Sequence, residues 1–235
     1  MNPQISQDKL TLPGLDLVER RVLGVLIEKA KTTPENYPLS LNSLLTGCNQ
    51  KSNRDPLMNL DDARLENCIR TLIQKTLVSL VRGGRVERWQ HELYTRWNVS
   101  KQDMAILGEL FLRGPQTEGL LRSRASRMEP FDSLEELRAS LDQLAQKELA
   151  IWVDAPGSRG ARVSHGFHSK GELENLGPAS VGELPSGSPS VSLVNEGNSR
   201  EKLDSLQTKL NTLEEVVKSL QEAVARLESR IPRNG

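Results

Sequence analysis

The chain has 235 residues, with 31 basic and 31 acidic side chains and a formal net charge of zero. That length fits one or two ordinary domains, and 36% hydrophobic with 26% charged residues is the balance of a globular protein. Only eight residues are aromatic, which argues against an aromatic-rich barrel or a base-stacking platform. No apolar run approaches the roughly 18–20 residues of a membrane span. Met1-Asn2-Pro3-Gln4 lacks the basic and apolar regions of a secretory signal. Two cysteines, Cys48 and Cys68, suit a reducing compartment better than a disulfide framework, so a cytoplasmic location is expected.

Residues 12–171 contain a diverged internal repeat. Val22-Leu23-Gly24-x-Leu26 recurs as Ile106-Leu107-Gly108-x-Leu110, and Leu72-x-Gln74-Lys75-x-Leu77 recurs as Leu144-x-Gln146-Lys147-x-Leu149. The two offsets, 84 and 72, place about 12 extra residues between Thr32 and Leu60 of the first repeat. Hydropathy and turn signals predict, for repeat one, helices over 16–31, 40–48 and 61–76, then strands over 77–82 and 86–97 around Gly83-Gly84. Ser40 is a good N-cap for the second helix, and Asp61-Asp62 suit the start of the third. Leu65, Ile69, Leu72 and Ile73 form that third helix's expected buried stripe. Repeat two reads as helices over 100–112, 116–125 and 133–148, with strands over 150–154 and 162–167. Ser133-x-x-Glu136 is a capping-box signature for its third helix. Three helices and a β-hairpin follow the order of a winged helix-turn-helix. The expected fold is mainly α with small β-hairpins (α+β), with one winged domain at 12–99 and a second at 100–168.

Residues 169–199 change character. Fifteen of these 31 residues are Gly, Ser or Pro, and from 172 to 199 none is Lys or Arg, so a flexible linker is expected. Over 200–231, Leu203, Leu206, Leu210, Leu213, Val217, Leu220, Val224, Leu227 and Ile231 keep a 3-4 spacing, the signature of a coiled coil. Leu at every d position and β-branched residues at the later a positions favour a parallel homodimer. Val216 and Ala223 widen the apolar stripe and leave a trimer open. The simpler reading is one amphipathic helix packed on the body.

Several strings resemble the YceH-like family of bacterial proteins. They are Thr32-Thr33-Pro34-Glu35-x-Tyr37-Pro38-Leu39-Ser40-Leu41-Asn42, Cys48-Asn49-Gln50-Lys51-Ser52-Asn53-Arg54-x-Pro56, Leu112-Arg113-Gly114-x-Gln116-Thr117 and Leu121-Arg122-x-Arg124-x-x-Arg127-Met128. The resemblance covers about residues 12–168. It implies a tandem winged-helix fold and a cytoplasmic protein, and it implies no established activity.

The loop Asn49-Gln50-Lys51-Ser52-Asn53-Arg54 is the first candidate for contact with double-stranded DNA. It joins the second helix to the third, and Asn, Gln and Arg are the side chains that read base edges in bidentate fashion. The plainer alternative is a loop whose polar groups satisfy their own backbone. Arg82, Arg85 and Arg88 around the first hairpin, and Arg122, Arg124 and Arg127 in repeat two, are basic clusters suited to phosphate, or else ordinary paired surface charge. Asp61, Asp62 and Glu66 make the third helix a poorer DNA reader. Trp89, Tyr94 and Trp97 are expected to pack rather than to stack on bases. His165-x-x-His168 lacks further ligands at metal spacing, and the cysteines have no evident activating base. No phosphate loop, dinucleotide fingerprint or nucleophile elbow is present in the sequence. The expectation is therefore a non-enzymatic nucleic-acid-binding protein without metal, cofactor or membrane association. A protein-interaction adaptor is the alternative.

Overall fold

A computed structural model describes residues 12–84 and 86–176. The chain runs through α1 (Leu17–Thr32), a short 3-10 turn (Pro34–Asn36), β1 (Leu39–Ser40), α2 (Leu41–Cys48), α3 (Asp62–Gln74), β2 (Val78–Val81), β3 (Arg88–His91) and α4 (Leu93–Trp97). It then repeats the order as α5 (Lys101–Arg113), β4 (Gln116–Thr117), α6 (Glu118–Ala125), α7 (Leu134–Gln146), β5 (Ala150–Trp152), β6 (Arg162–His165) and α8 (Lys170–Leu176). The fold class is mixed α+β, with helices dominant and two small antiparallel sheets ordered β1-β3-β2 and β4-β6-β5.

The repeat seen in the sequence is a structural repeat. α1 and α5 both open with a capping box: Asp16 exchanges hydrogen bonds with Glu19, and Ser100 does the same with Asp103. In the sheets, Trp89 of β3 lies opposite both Leu39 and Leu80, and Val163 of β6 lies opposite both Gln116 and Trp152. The extra residues of repeat one fall in the longer α1, the 3-10 turn and the segment between α2 and α3.

α1 and α5 pack against each other through helices with no solvent face along their middles. Residues 19–27 of α1 and 103–112 of α5 are buried without interruption, the pattern of a helix enclosed by protein on every side. Their repeated glycines permit the close approach. A Cβ on Gly24 would stand 3.0 Å from Leu112 Cγ, and one on Gly108 would stand 2.7 Å from Ile27 Cγ2. Both modules drain into this centre: Trp97 from α4 packs on Phe111 of α5 and on Phe167 beyond β6, with ring centroids 6.2 and 5.2 Å away.

Several sequence expectations change. Residues 86–97 are not one strand: β3 ends at His91, and α4 buries Leu93 and Trp97, one turn apart. Short strands precede α2 and α6, so each hairpin becomes a three-stranded sheet. The helix expected from residue 116 starts at Glu118. Ser133 caps α7, but Glu136 accepts from the Asp132 N–H instead of completing the box. α3 buries Leu65, Cys68, Ile69 and Leu72, while Ile73 stays 40% exposed. The linker does not begin at 169, because Lys170–Leu176 is helical. Ser169-x-x-Glu172 is itself a reciprocal cap, with Ser169 N–H donating to Glu172 Oε2 at 2.7 Å. The remaining linker and the coiled-coil heptads lie outside the described residues.

The crossing carries a prediction. Gly108→Val adds branched carbon where Ile27 already sits, so the urea midpoint should fall by the equivalent of about 1–3 kcal/mol. Gly119→Ala, where a Cβ meets nothing within 4 Å, should leave the midpoint unchanged or raise it. Equal midpoints for the two variants would mean that α1 and α5 do not approach there.

Candidate nucleic-acid interface

The segment between α2 and α3 is tied down by its own side chains. Asn49 closes it like a pin: its Nδ2 donates to the Leu60 carbonyl at 2.8 Å, and its Oδ1 accepts from the Leu60 N–H at 2.7 Å. Gln50 donates to Ser52 Oγ and accepts from Arg54. Asn53 adopts a positive φ of 60° and takes Arg113 on its Oδ1. Asp55 N–H donates to the Leu112 carbonyl at 2.9 Å, docking the segment on the end of α5.

Arg54 is the correction with the largest consequence. Its side chain is fully buried and pairs with Glu28 at 2.6 Å. All five N–H donors of its guanidinium are used, by Gly47 O, Asn53 O, Gln50 Oε1 and both Glu28 oxygens. A phosphate could reach this group only by breaking that set, so Arg54 leaves the interface and becomes a brace between α1 and α2. Asn49 leaves it too, its amide closed on Leu60, while Asn53 is exposed with its Oδ1 held by Arg113. Within this loop, Lys51 alone of the expected contacts stays exposed with no bonded partner among the described residues.

Arg21 forms a second buried brace. Its guanidinium donates to Cys48 O at 3.2 Å and Pro56 O at 2.6 Å, and it faces Leu112 O at 3.5 Å. Cys48 and Leu112 end α2 and α5, where helix dipoles place partial negative charge. Burial, and then the charge of Arg54, pull its pKa below the ordinary arginine range. The sequence hid these roles because an Arg within an apolar helix reads as a surface position.

The hairpin of the first module presents its arginines differently. Arg88 pairs with Val81 across the ladder, so Arg82 and Arg88 stand on either side of the turn, both exposed. Arg88 donates to Pro38 O at 2.8 Å, and Arg82 has no bonded partner among the described residues. Arg85 lies outside the described residues. Val86 at the same turn is 58% exposed. In the second module, Arg124 donates to Gln116 Oε1 at 2.5 Å, Arg122 is half-buried and Arg127 is exposed. The cations of the equivalent hairpin and helix are more engaged: Arg162 binds Asp154 at 2.8 Å, and Arg138 binds Glu118 at 2.7 Å. On α3, Asp61, Asp62, Arg64 and Glu66 are exposed, Arg70 donates to Asn67, and Lys75 is taken up by Glu19 and Gly14 O.

Sequence reading missed a Ser–His–Glu alignment beside α8. Ser164 Oγ lies 2.7 Å from His168 Nε2, and His168 Nδ1 lies 3.9 Å from Glu172 Oε2. It is not a nucleophilic triad. Ser164 is completely buried, Nδ1 makes no hydrogen bond, and Arg20 holds Glu172 through both carboxylate oxygens. Arg20 also donates to Phe167 O and Leu15 O. The cluster fastens α8 to α1, with His165 and His168 stacked at 3.8 Å. Among the described residues no group of three His, Cys, Asp or Glu side chains gathers to hold a metal.

Burial decides the ionisation here. Desolvation, helped by His168 and Arg20, pushes His165 down to about 2, and desolvation takes His91 to about 4. The Arg20 hydrogen bonds draw Glu172 down to about 2. Burial raises Cys48 to about 12 and moves Cys68 upward too. A histidine depressed in the folded state contributes stability that is complete above its unfolded pKa of about 6.5 and is lost as pH falls through the window below it. Between pH 7 and 5 the loss should be on the order of 1–2 kcal/mol for each of His165 and His91. Urea titrations across that range should show the decline, and His165→Phe should remove about half of it. A wild-type profile flat from pH 7 to 5 would contradict the burial assigned to both rings. The thiols make a separate expectation: both should resist a disulfide exchange reagent in the native protein and react fully in urea.

The residues thus define a class of protein: a two-module body whose polar inter-helix segment is an internal brace and whose exposed cations include a hairpin pair and a loop tip. Residues 15–161 match the family described as a protein of unknown function, DUF480. The chain belongs to this family. It is 40% identical over 191 residues to a UPF0502 protein of Azotobacter vinelandii, covering 81% of this chain and 82% of the relative. A UPF0502 protein of Pseudomonas aeruginosa is 44% identical over 161 residues, covering 68% and 73% of the two chains. One from Acidovorax is 38% identical over 209 residues, covering 85% and 89%. The family match and the strings read from the sequence cover nearly the same span. No helix among the described residues is long and apolar enough to cross a membrane.

Proposed function

We propose that both modules are winged helices and that the chain is a non-enzymatic nucleic-acid-binding protein acting through the first module's hairpin. The support for the fold is the order helix, strand, helix, helix, hairpin, with the short first strand closing a three-stranded sheet in each half. The observation that carries the functional reading is the pair Arg82 and Arg88, exposed on both sides of one turn with no carboxylate bonded to either. Such a hairpin is shaped for the phosphate backbone or a minor groove, and phosphate contact is the sequence-independent part of binding. The C-terminal heptads would bring two bodies together, and the linker would let their spacing vary through effective concentration. The role is regulatory or architectural, in a cytoplasmic homo-oligomer.

A second reading has its own observation. Ile73 on α3 and Val86 at the hairpin turn are large apolar side chains left 40% and 58% exposed, and α3 carries Asp61, Asp62 and Glu66 outward. Those are features of a protein-binding face, and they make an adaptor the competing function.

Fluorescence anisotropy of the full chain on short random duplex DNA separates the two. The nucleic-acid reading expects roughly micromolar binding that weakens steeply with salt, with a loss of about tenfold in Arg82→Ala/Arg88→Ala. Absence of binding at low salt would sink it and leave the adaptor.

A further inference from the structure

A second cationic surface lies at the start of the braced segment. Where α2 runs closest to α1, a shallow hollow of about 500 Å³ opens between Lys29 of α1, the α2 face of Ser43 and Thr46, and the loop start at Gln50 and Lys51. Two lysines from separate elements face the same concavity, and no carboxylate lines it. Glu28, next to Lys29, is bound by Arg54 through both of its oxygens and forms only a longer ion pair with Lys29 Nζ, at 3.7 Å. The charged residues that line the hollow are Lys29 and Lys51. Arg54 and Asn49 hold its wall in place: Arg54 binds Gly47 O and Gln50 Oε1, and Asn49 is pinned to Leu60. The site is thus preformed.

We propose that this hollow binds a phosphate ester. Two ammonium groups provide up to six N–H donors, and the Gln50 amide adds another. The hollow has neither an aromatic wall for stacking nor a buried acceptor for a cation. A volume of this size exceeds one phosphate and accommodates either a stretch of nucleic-acid backbone or a free phosphorylated molecule. The strand source rests on the nucleic-acid reading above; the free source does not. For the strand, the braced segment acquires a purpose: Arg54, withdrawn from the surface, fixes Gln50 and the loop that carries Lys51 so that two phosphate contacts are preorganised.

The test uses the full chain and the variant Lys29→Gln/Lys51→Gln. Lys51 is exposed and Lys29 is half-buried with only a long ion pair to Glu28, so the urea midpoint should stay near wild type; if it does not, Lys51→Gln alone serves. Binding of pyrophosphate is read by phosphorus NMR line broadening, and binding of a short random duplex by anisotropy. The strand source expects the double variant to lose about tenfold in duplex affinity and to reduce the salt slope by about two. Broadening by wild type that disappears in the variant, with no duplex bound by either, supports the hollow as a site for a free phosphorylated ligand and discards the nucleic-acid reading. A variant equal to wild type with both probes overturns the hollow, even where Arg82→Ala/Arg88→Ala abolishes duplex binding. Failure of wild type to bind either probe overturns it as well.

Discussion

The two modules hang on a pair of helices that have no face to spare. α1 is buried from Glu19 to Ile27 and α5 from Asp103 to Leu112, so each must satisfy neighbours on its whole circumference. Helices with bulky side chains in those stripes stay well apart, with axes about 8–10 Å apart. Gly24 and Gly108 relieve the crossing at equivalent positions of the repeat, and Leu112 and Ile27 fill the space they leave. Neither module can then be removed without exposing a continuous apolar helix. The repeat folds as one body because its first helix occurs twice at the centre.

This enclosure explains why conspicuous cations in the sequence serve the interior. Arg20, Arg21 and Arg54 are 2%, 1% and 6% exposed. Each reaches out of the packed centre to a carbonyl or carboxylate on another element: Arg20 to Phe167 and α8, Arg21 to the ends of α2 and α5, and Arg54 to Glu28 and Gly47. A buried ion pair often gains little over an apolar replacement, whereas losing one partner costs about 3–5 kcal/mol. Their contribution is therefore one of register more than of net stability. They fix which loop lies on which helix end, and so hold the Lys51 tip and the α2 surface in one arrangement.

The sequence displayed the parts whose physics is local. Apolar period, caps at Ser40, Asp61 and Ser133, and the Gly83-Gly84 turn placed the helices and hairpins, and the two offset strings disclosed the repeat. What it concealed depends on distant partners. β1 and β4 are two-residue strands that exist only because β3 and β6 offer an edge, and α4 exists because Leu93 and Trp97 find a core one turn apart. Ser169-x-x-Glu172 was a local signal for α8, masked by the Gly171 within it and by the linker composition that follows. The candidate site suffered most. Asn49, Asn53 and Arg54 have the chemistry of a groove reader, and only the positions of Leu60, Arg113 and Glu28 reveal that Asn49 and Arg54 are committed inside the fold and that the Asn53 carbonyl oxygen is taken. Lys51, Arg82 and Arg88 kept their exposure, while Lys29 gains meaning only beside α2.

The central claim is that α1 and α5 bind both modules into a single cooperative unit, and native-state hydrogen exchange in low denaturant tests it most directly. Amides in the middles of α1 and α5 should exchange only through global unfolding, with one shared free energy and one denaturant slope. Amides of α8 and of the first hairpin should exchange earlier through local opening. Two separate free energies, with α1 and its module opening while α5 stays protected, would contradict the account and make the modules independent domains.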